Sequence, residues 1–254
     1  MIKALLLAST LVASAADPFA GEEVPDTRLY ELRTYHANEG KLDALLTRFH
    51  DHTVKLFEKH GMTNIGYWVP IENADNLLIY LLAYPDMESR DSSWKAFMAD
   101  PVWKKAAAHS EADGKLVGKV DRVFMQPTDF SMGFNDLFSG GLYKMRTYTS
   151  TPGNLPALHA RFRDHTTRIF AKYGINNHSY FKLTPDQDGA ESTLVYFVSH
   201  SDKESAQKSW QNFSNDPDWI AAKKASEEKA AGSLTAKDGV KSIFLKATDF
   251  SPVK

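Results

Sequence analysis

The chain of 254 residues contains no cysteine. That excludes a disulfide framework, a thiolate zinc site, a cysteine nucleophile and a lipid-modified N-terminal cysteine. An excess of one charge sign is also missing: 30 Lys and Arg stand against 32 Asp and Glu, a formal net charge of −2. Such a balance gives no electrostatic basis for binding nucleic acid. No apolar run approaches the ~20 residues that a transmembrane helix needs. The sequence also lacks His-Glu-x-x-His, a histidine pair at i, i+4, Gly-x-Ser-x-Gly and the glycine loops that cradle phosphate, so no metal and no cofactor is expected. With 43% hydrophobic and 24% charged residues the composition is that of an ordinary globular chain, which sets aside disordered, collagen-like and coiled-coil classes.

The N-terminus reads as an export signal. Met1-Ile2-Lys3 supplies a positive charge, Ala4 to Val12 a short apolar run, and Ala13-Ser14-Ala15-Ala16 the small residues a signal peptidase recognises. Residues 1–16 are therefore expected to be removed, residues 17–27 to form a flexible leader, and the mature protein to be secreted or periplasmic.

Self-comparison is the most informative operation on what remains. Leu29 to Met62 aligns with Leu142 to Ile175 without a gap, and 17 of 34 positions are identical. Trp94, Asp100-Pro101 and Trp103 then match Trp210, Asp216-Pro217 and Trp219, and Thr128-Asp129-Phe130-Ser131 matches Thr248-Asp249-Phe250-Ser251. The chain carries one domain twice, over 28–131 and 142–254, joined by a linker at 132–141.

Within a copy, Leu29 to Tyr35 alternates as a strand does, whereas Leu42, Leu45, Leu46, Phe49, Thr53, Leu56 and Phe57 recur at helical spacing before Gly61. Tyr67-Trp68-Val69 is a second strand. Leu77 to Ala83 is an unbroken apolar run, expected of a strand buried on both faces. A second helical region, broken at Asp100-Pro101, precedes a last strand at Val120 to Met125. Strand, helix, strand, strand, helix, strand is the order of a ferredoxin-like unit. Its helices cover one sheet face and leave the other bare, and the second copy is the natural cover. The predicted fold is thus α+β, two tandem ferredoxin-like units packed sheet to sheet. One chain then supplies both halves, as a monomer or a weak homo-oligomer.

The stretch Tyr30-Glu31-Leu32-Arg33-Thr34-Tyr35, with Gly66-Tyr67-Trp68, Tyr84, Arg90, Trp94 and Asp100-Pro101-Val102-Trp103, resembles the NIPSNAP domain of the dimeric α/β-barrel superfamily. The second copy is similar through Tyr143 to Tyr148, Tyr180-Phe181, Trp210 and Asp216-Pro217-Asp218-Trp219, but it has Ala206 in place of Arg90 and Ser179-Tyr180-Phe181 in place of Gly66-Tyr67-Trp68. The resemblance implies an intrachain α/β barrel and names no reaction.

Alternation places Tyr30, Leu32 and Thr34 on one face of the first strand and Glu31, Arg33 and Tyr35 on the other. With the apolar set assigned to the helices, Glu31, Arg33, Tyr35, Lys144, Arg146 and Tyr148 are expected to face the barrel interior. The four charged groups among them sum to +2. Either a structural network with Glu31, Asp121 or another carboxylate compensates, or Arg33, Tyr35, Lys144, Arg146 and Tyr148 bind a small anionic or carbonyl-bearing molecule. His52 and His165, on or beside the buried helical stripe, read as satisfied core histidines or as acid/base candidates. His50 is expected at the surface. Trp94, Trp103, Trp210 and Trp219 read as core, with cofactor stacking the alternative. Three functional classes follow: a binding module, a cofactor-independent monooxygenase or isomerase using His52 or His165 with Arg33 or Arg146, and a protein-interaction module with a filled barrel.

Overall fold

The computed structural model describes residues 25–134 and 141–254. The expected export signal, most of the leader and residues 135–140 of the expected linker lie outside them. The first unit comprises β1 (Leu29–Ala37), α1 (Leu42–Arg48), a π turn (Phe49–Thr53), α2 (Val54–Lys59), β2 (Thr63–Pro70), β3 (Leu77–Tyr84), α3 (Met87–Ala99), α4 (Pro101–Ser110) and β4 (Val117–Pro127). The second repeats it: β5 (Leu142–Ser150), α5 (Leu155–Arg161), a π turn (Phe162–Thr166), α6 (Thr167–Lys172), β6 (Asn176–Leu183), β7 (Thr193–His200), α7 (Lys203–Ser214), α8 (Pro217–Lys229) and β8 (Thr235–Ala247).

Local chemistry sets the boundaries. Gly61 and Gly174, at φ 80° and 71°, take the left-handed conformation that ends α2 and α6. Asp100 Oδ1 accepts from the Val102 N–H at 2.7 Å and Asp216 Oδ1 from the Trp219 N–H at 2.9 Å, so each caps a helix whose first turn holds a proline.

The first helix of each unit is not continuous as the spacing suggests. In the π turns the Thr53 and Thr166 hydroxyls donate five residues back, to the Arg48 and Arg161 carbonyls, both at 3.1 Å. The wider turn carries the threonines to the buried side and leaves His52 and His165 exposed. Neither is a core histidine, against expectation, whereas His50 is exposed as expected.

The strands close into one barrel in the order β1-β3-β2-β8-β5-β7-β6-β4, with β4 returning to β1. The units therefore do more than stack face to face. Trp68, Val69 and Pro70 of β2 pair with Ala247, Lys246 and Leu245 of β8, and Met125, Gln126 and Pro127 of β4 pair with Leu183, Lys182 and Phe181 of β6. Closure removes the four sheet edges that two separate units would expose.

The interior of that barrel is a packed core. Tyr30, Leu32, Trp68, Ile79, Leu81, Tyr143, Phe181, Phe197 and Leu245 meet there, all buried. Trp68 stacks on Phe197 at 5.3 Å and lies 5.7 Å from Tyr143. The bulk of Trp68 explains one difference between the copies: a Cβ at Gly66 would overlap its indole, while the second unit pairs Ser179 with the smaller Phe181.

This arrangement inverts the expected facing of the first strands. Tyr30 and Leu32 point into the barrel, and Glu31, Arg33, Tyr35, Lys144, Arg146 and Tyr148 point toward the helices. Both faces are buried, so polarity cannot say which is which. A ligand chamber within the barrel is not what these six residues form.

Candidate functional site

The polar residues of the first strands lie between sheet and helices, once in each unit. In the first, the carboxylate of Glu31 is fully buried and accepts five hydrogen bonds. They come from Arg33 Nη1 at 2.5 Å, Arg90 Nη2 and Nε at 2.9 and 3.0 Å, the Trp94 indole at 3.1 Å and the Tyr84 hydroxyl at 3.2 Å. Burial alone would raise the carboxyl pKa, but the Arg90 hydrogen bonds and the Arg33 charge outweigh it and hold Glu31 below the usual carboxylate range. Arg33 Nε donates to Tyr80 at 2.8 Å, and its guanidinium lies 4.3 Å from the Trp94 ring centroid. The structural network expected around Glu31 is therefore present, with Arg90 as the added partner. Asp121 is elsewhere, at the surface, bound to His36 at 2.8 Å and Lys119 at 2.9 Å.

Above this network lies a cavity of about 370 Å³, walled by Phe49, Trp94 and Trp103 and edged by Arg33, Tyr35, Arg48, Arg90 and Arg122. Arg122 stands opposite Arg33 on neighbouring strands and is exposed at the rim. Arg48 pairs with Glu111 at 3.0 Å, yet its buried Nε has no hydrogen-bond partner among the described residues. Trp94 and Trp103 each contact Phe97, at 5.6 and 4.4 Å, so they serve as core and as cavity wall together.

The second unit keeps the frame with different charges. Lys144 takes the place of Glu31, Arg146 of Arg33, Ala206 of Arg90, and His200 of Tyr84. Arg146 stacks on Trp210 at 4.3 Å and donates to Tyr148 at 3.0 Å, but its Nε has no hydrogen-bond partner among the described residues. Lys144 has no carboxylate partner among them either. Burial, with Arg146 adding repulsion, pushes its ammonium down to about 8. His200 is pushed down to about 4, first by burial and then by Lys144 and Arg146.

The structure does not bring His52 or His165 to these clefts. No histidine lines the first-unit cavity among the described residues. His165 instead edges an open groove of about 790 Å³ between α5 and α8, floored by alanines and flanked by Asp164, Arg168 and Asp218. The expected ligand-binding residues Arg33, Tyr35, Lys144, Arg146 and Tyr148 lie in these sheet–helix layers, joined by Arg48, Arg90, Arg122 and His200, which the sequence does not single out for binding, and by Trp94 and Trp103, which it reads as core or as a cofactor-stacking surface. The paired exchange of Glu31 with Lys144 and Arg90 with Ala206 was the signal that could have found two of the contacts. No group of three or more metal-ligating side chains occurs among the described residues, and no helix there is long and apolar enough to cross a membrane.

Comparison with known structures agrees with the barrel fold. An anthrone oxidase-like protein is 12% identical with a TM-score of 0.54, the match covering 88% of this chain and 92% of that one. A monooxygenase-like protein of Lactobacillus acidophilus is 11% identical with a TM-score of 0.53, over 90% and 99%. At such identity the likeness is one of fold. A NIPSNAP family protein of Agrobacterium tumefaciens matches one unit's worth of chain, at 24% identity over 42% of this chain and 94% of its own, with a TM-score of 0.38. Comparison with curated protein sequences finds no match. The NIPSNAP family model matches twice, over residues 30–132 and 143–252. Two such matches span most of the chain and coincide with the two halves of the barrel: the chain belongs to the NIPSNAP family.

Proposed function

We propose that this protein is an exported binding module that takes a small anionic or carbonyl-bearing molecule in the cleft between sheet and helices, not inside the barrel. One observation carries this: the first-unit cavity presents two tryptophan faces beside four arginines, of which Arg33 and Arg90 are tied to Glu31 beneath it and Arg48 to Glu111, while Arg122 at the open rim has no carboxylate partner among the described residues. The cavity volume, about 370 Å³, suits a small ring compound. Guanidinium forks orient a carboxylate or carbonyl, and indole faces stack on a planar body. The oxygenase or isomerase reading rests on fold likeness alone, and fold does not carry function. The exposed placement of His52 and His165 gives it no base beside the arginines.

The test is a thermal-shift and calorimetric screen of small aromatic acids and their amides against the full chain. Acids should raise the melting temperature more than amides. Arg122→Gln, at the exposed rim, should weaken that binding several-fold without altering the melting temperature of the free protein. No saturable binding by any acid or amide would refute the proposal. The intact mass of protein secreted from its own source tests export: a mature chain beginning at Ala16 or Asp17 is expected.

A further inference from the structure

We propose that the second unit's cleft binds an external carboxylate, which takes the place that the Glu31 side chain fills in the first unit. The proposal shares the view that the sheet–helix clefts are binding sites, but it concerns different residues and stands or falls separately.

The internal repeat supplies the comparison. In the first unit a cation sits over an aromatic pair: the Arg90 guanidinium lies 5.5 Å from the Trp94 ring centroid and 5.2 Å from Phe124. In the second, the Lys144 ammonium lies over the corresponding pair, 4.9 Å from Trp210 and 4.4 Å from Phe244. The lysine reaches from β5 to where the arginine reaches from α3, and Ala206 leaves it room. The second cation, Arg33 or Arg146, holds the same stacking distance of 4.3 Å on its tryptophan. What the exchange removes is the carboxylate, and the cations both remain.

The hydrogen bonds around that place change in the same sense. The Trp94 indole donates to Glu31 and to Tyr84, whereas the Trp210 indole donates to His200 Nε2 at 3.2 Å. An indole N–H can only donate, so Nε2 accepts, and the neutral His200 ring carries its proton on Nδ1. That N–H is buried and has no hydrogen-bond partner among the described residues. Arg146 Nε faces Tyr196, the counterpart of the Tyr80 that receives the 2.8 Å hydrogen bond from Arg33 Nε, but makes no such bond. Lys144, buried, and Arg146, half-buried, thus have no carboxylate partner among the described residues, and the buried His200 N–H has no acceptor there. Leaving such groups uncompensated is costly, and a carboxylate satisfies both the charges and the donors. The first unit shows that this frame accommodates a planar, two-oxygen anion. Lys144 is buried, but Arg146 and Trp210 retain partial exposure, so the frame is reachable from solvent along them.

The probe is 4-fluorobenzoate, followed by fluorine NMR with the full chain at neutral pH and fixed ionic strength, with acetate and inorganic phosphate as competitors. Saturable line broadening is expected, relieved by acetate, with a second component from the first-unit cavity that Arg122→Gln weakens. In the Arg122→Gln background the remaining broadening should be lost on adding Lys144→Glu/Ala206→Arg, which rebuilds the first unit's own carboxylate and arginine, and Lys144→Glu/Ala206→Arg by itself should melt higher than wild type. Lys144→Met in the same background should weaken binding at least tenfold. Absent or unsaturable broadening in the Arg122→Gln background overturns the proposal, as does binding retained there after Lys144→Glu/Ala206→Arg. Competition by phosphate as strong as that by acetate would overturn the carboxylate assignment.

Discussion

Replacing Glu31 by Gln offers the sharpest test of the network that underlies the first cleft. The carboxylate is fully buried and receives five hydrogen bonds, three of them from the Arg33 and Arg90 guanidinia. A glutamine keeps the size, removes the charge and turns an amide N–H₂ toward donors. Arg33 and Arg90 then face each other with no anion between them. Breaking one partner from a buried ion pair costs about 3–5 kcal/mol. The lower end applies here, about 3 kcal/mol, because the Arg90 side chain retains 13% exposure and can turn outward. For a chain of this size that is a fall of roughly 6–10 °C in melting temperature.

The pH dependence gives an independent check with a definite sign. Because the folded state holds the Glu31 carboxyl below its ordinary value of 4.5, its contribution is complete above that pH and is lost as pH falls through the lower folded value. Urea unfolding of wild type and Glu31→Gln between pH 3 and 7 should therefore show curves that converge in acid. Glu31→Lys/Arg90→Ala, which copies the second unit, should recover part of the loss. A loss below about 1 kcal/mol at pH 7, or a gap that does not shrink in acid, would show that the network contributes little beyond packing.

Three further outcomes are expected. Lys144 has a folded pKa near 8, below its ordinary 10.5, so the destabilisation from holding it charged is present below pH 8 and disappears as pH rises toward 10.5. The melting temperature of wild type should rise relative to Lys144→Met across that window, and a flat difference would contradict it. Gly66→Ala should cost about 2 kcal/mol by driving Cβ into the Trp68 indole, and Trp68→Phe, the choice made by Phe181 beside Ser179, should restore part of it; equal melting of Gly66→Ala and wild type would refute this. His52→Gln and His165→Gln should each shift stability by less than about 0.5 kcal/mol, since both rings are exposed, and a larger loss in urea unfolding would mean that one is held by the core.

Much of the architecture was legible before any coordinates. The repeat of LYELRTY as LYKMRTY, the strand and helix periods, and the apolar runs at Leu77 to Ala83 and Leu194 to Val198 led to two ferredoxin-like units sharing one interior. The facing of β1 and β5 was not legible. Alternation says only that two faces differ, and in a barrel wrapped by helices both faces are buried. Tyr30 and Leu32 were as good a helix-facing set as Glu31, Arg33 and Tyr35. The π turns were equally invisible, because an i→i−5 turn leaves no mark in composition; the spacing puts Thr53 in the buried stripe, but it leaves His52 on or beside that stripe where the wider turn exposes it.

The sequence by itself therefore determined that one domain occurs twice, that the copies belong together, and that Glu31 and Lys144 differ in charge at one repeated position. It also carried the compensating exchange of Arg90 for Ala206. Tertiary structure alone decided that β2 meets β8 and β4 meets β6, that the barrel fills with Trp68, Tyr143 and Phe197, and that the charged residues face the helices. The reason is physical: a side chain's chemistry states what environment it requires, but which of two buried layers supplies that environment depends on volumes contributed by strands and helices far apart in the chain.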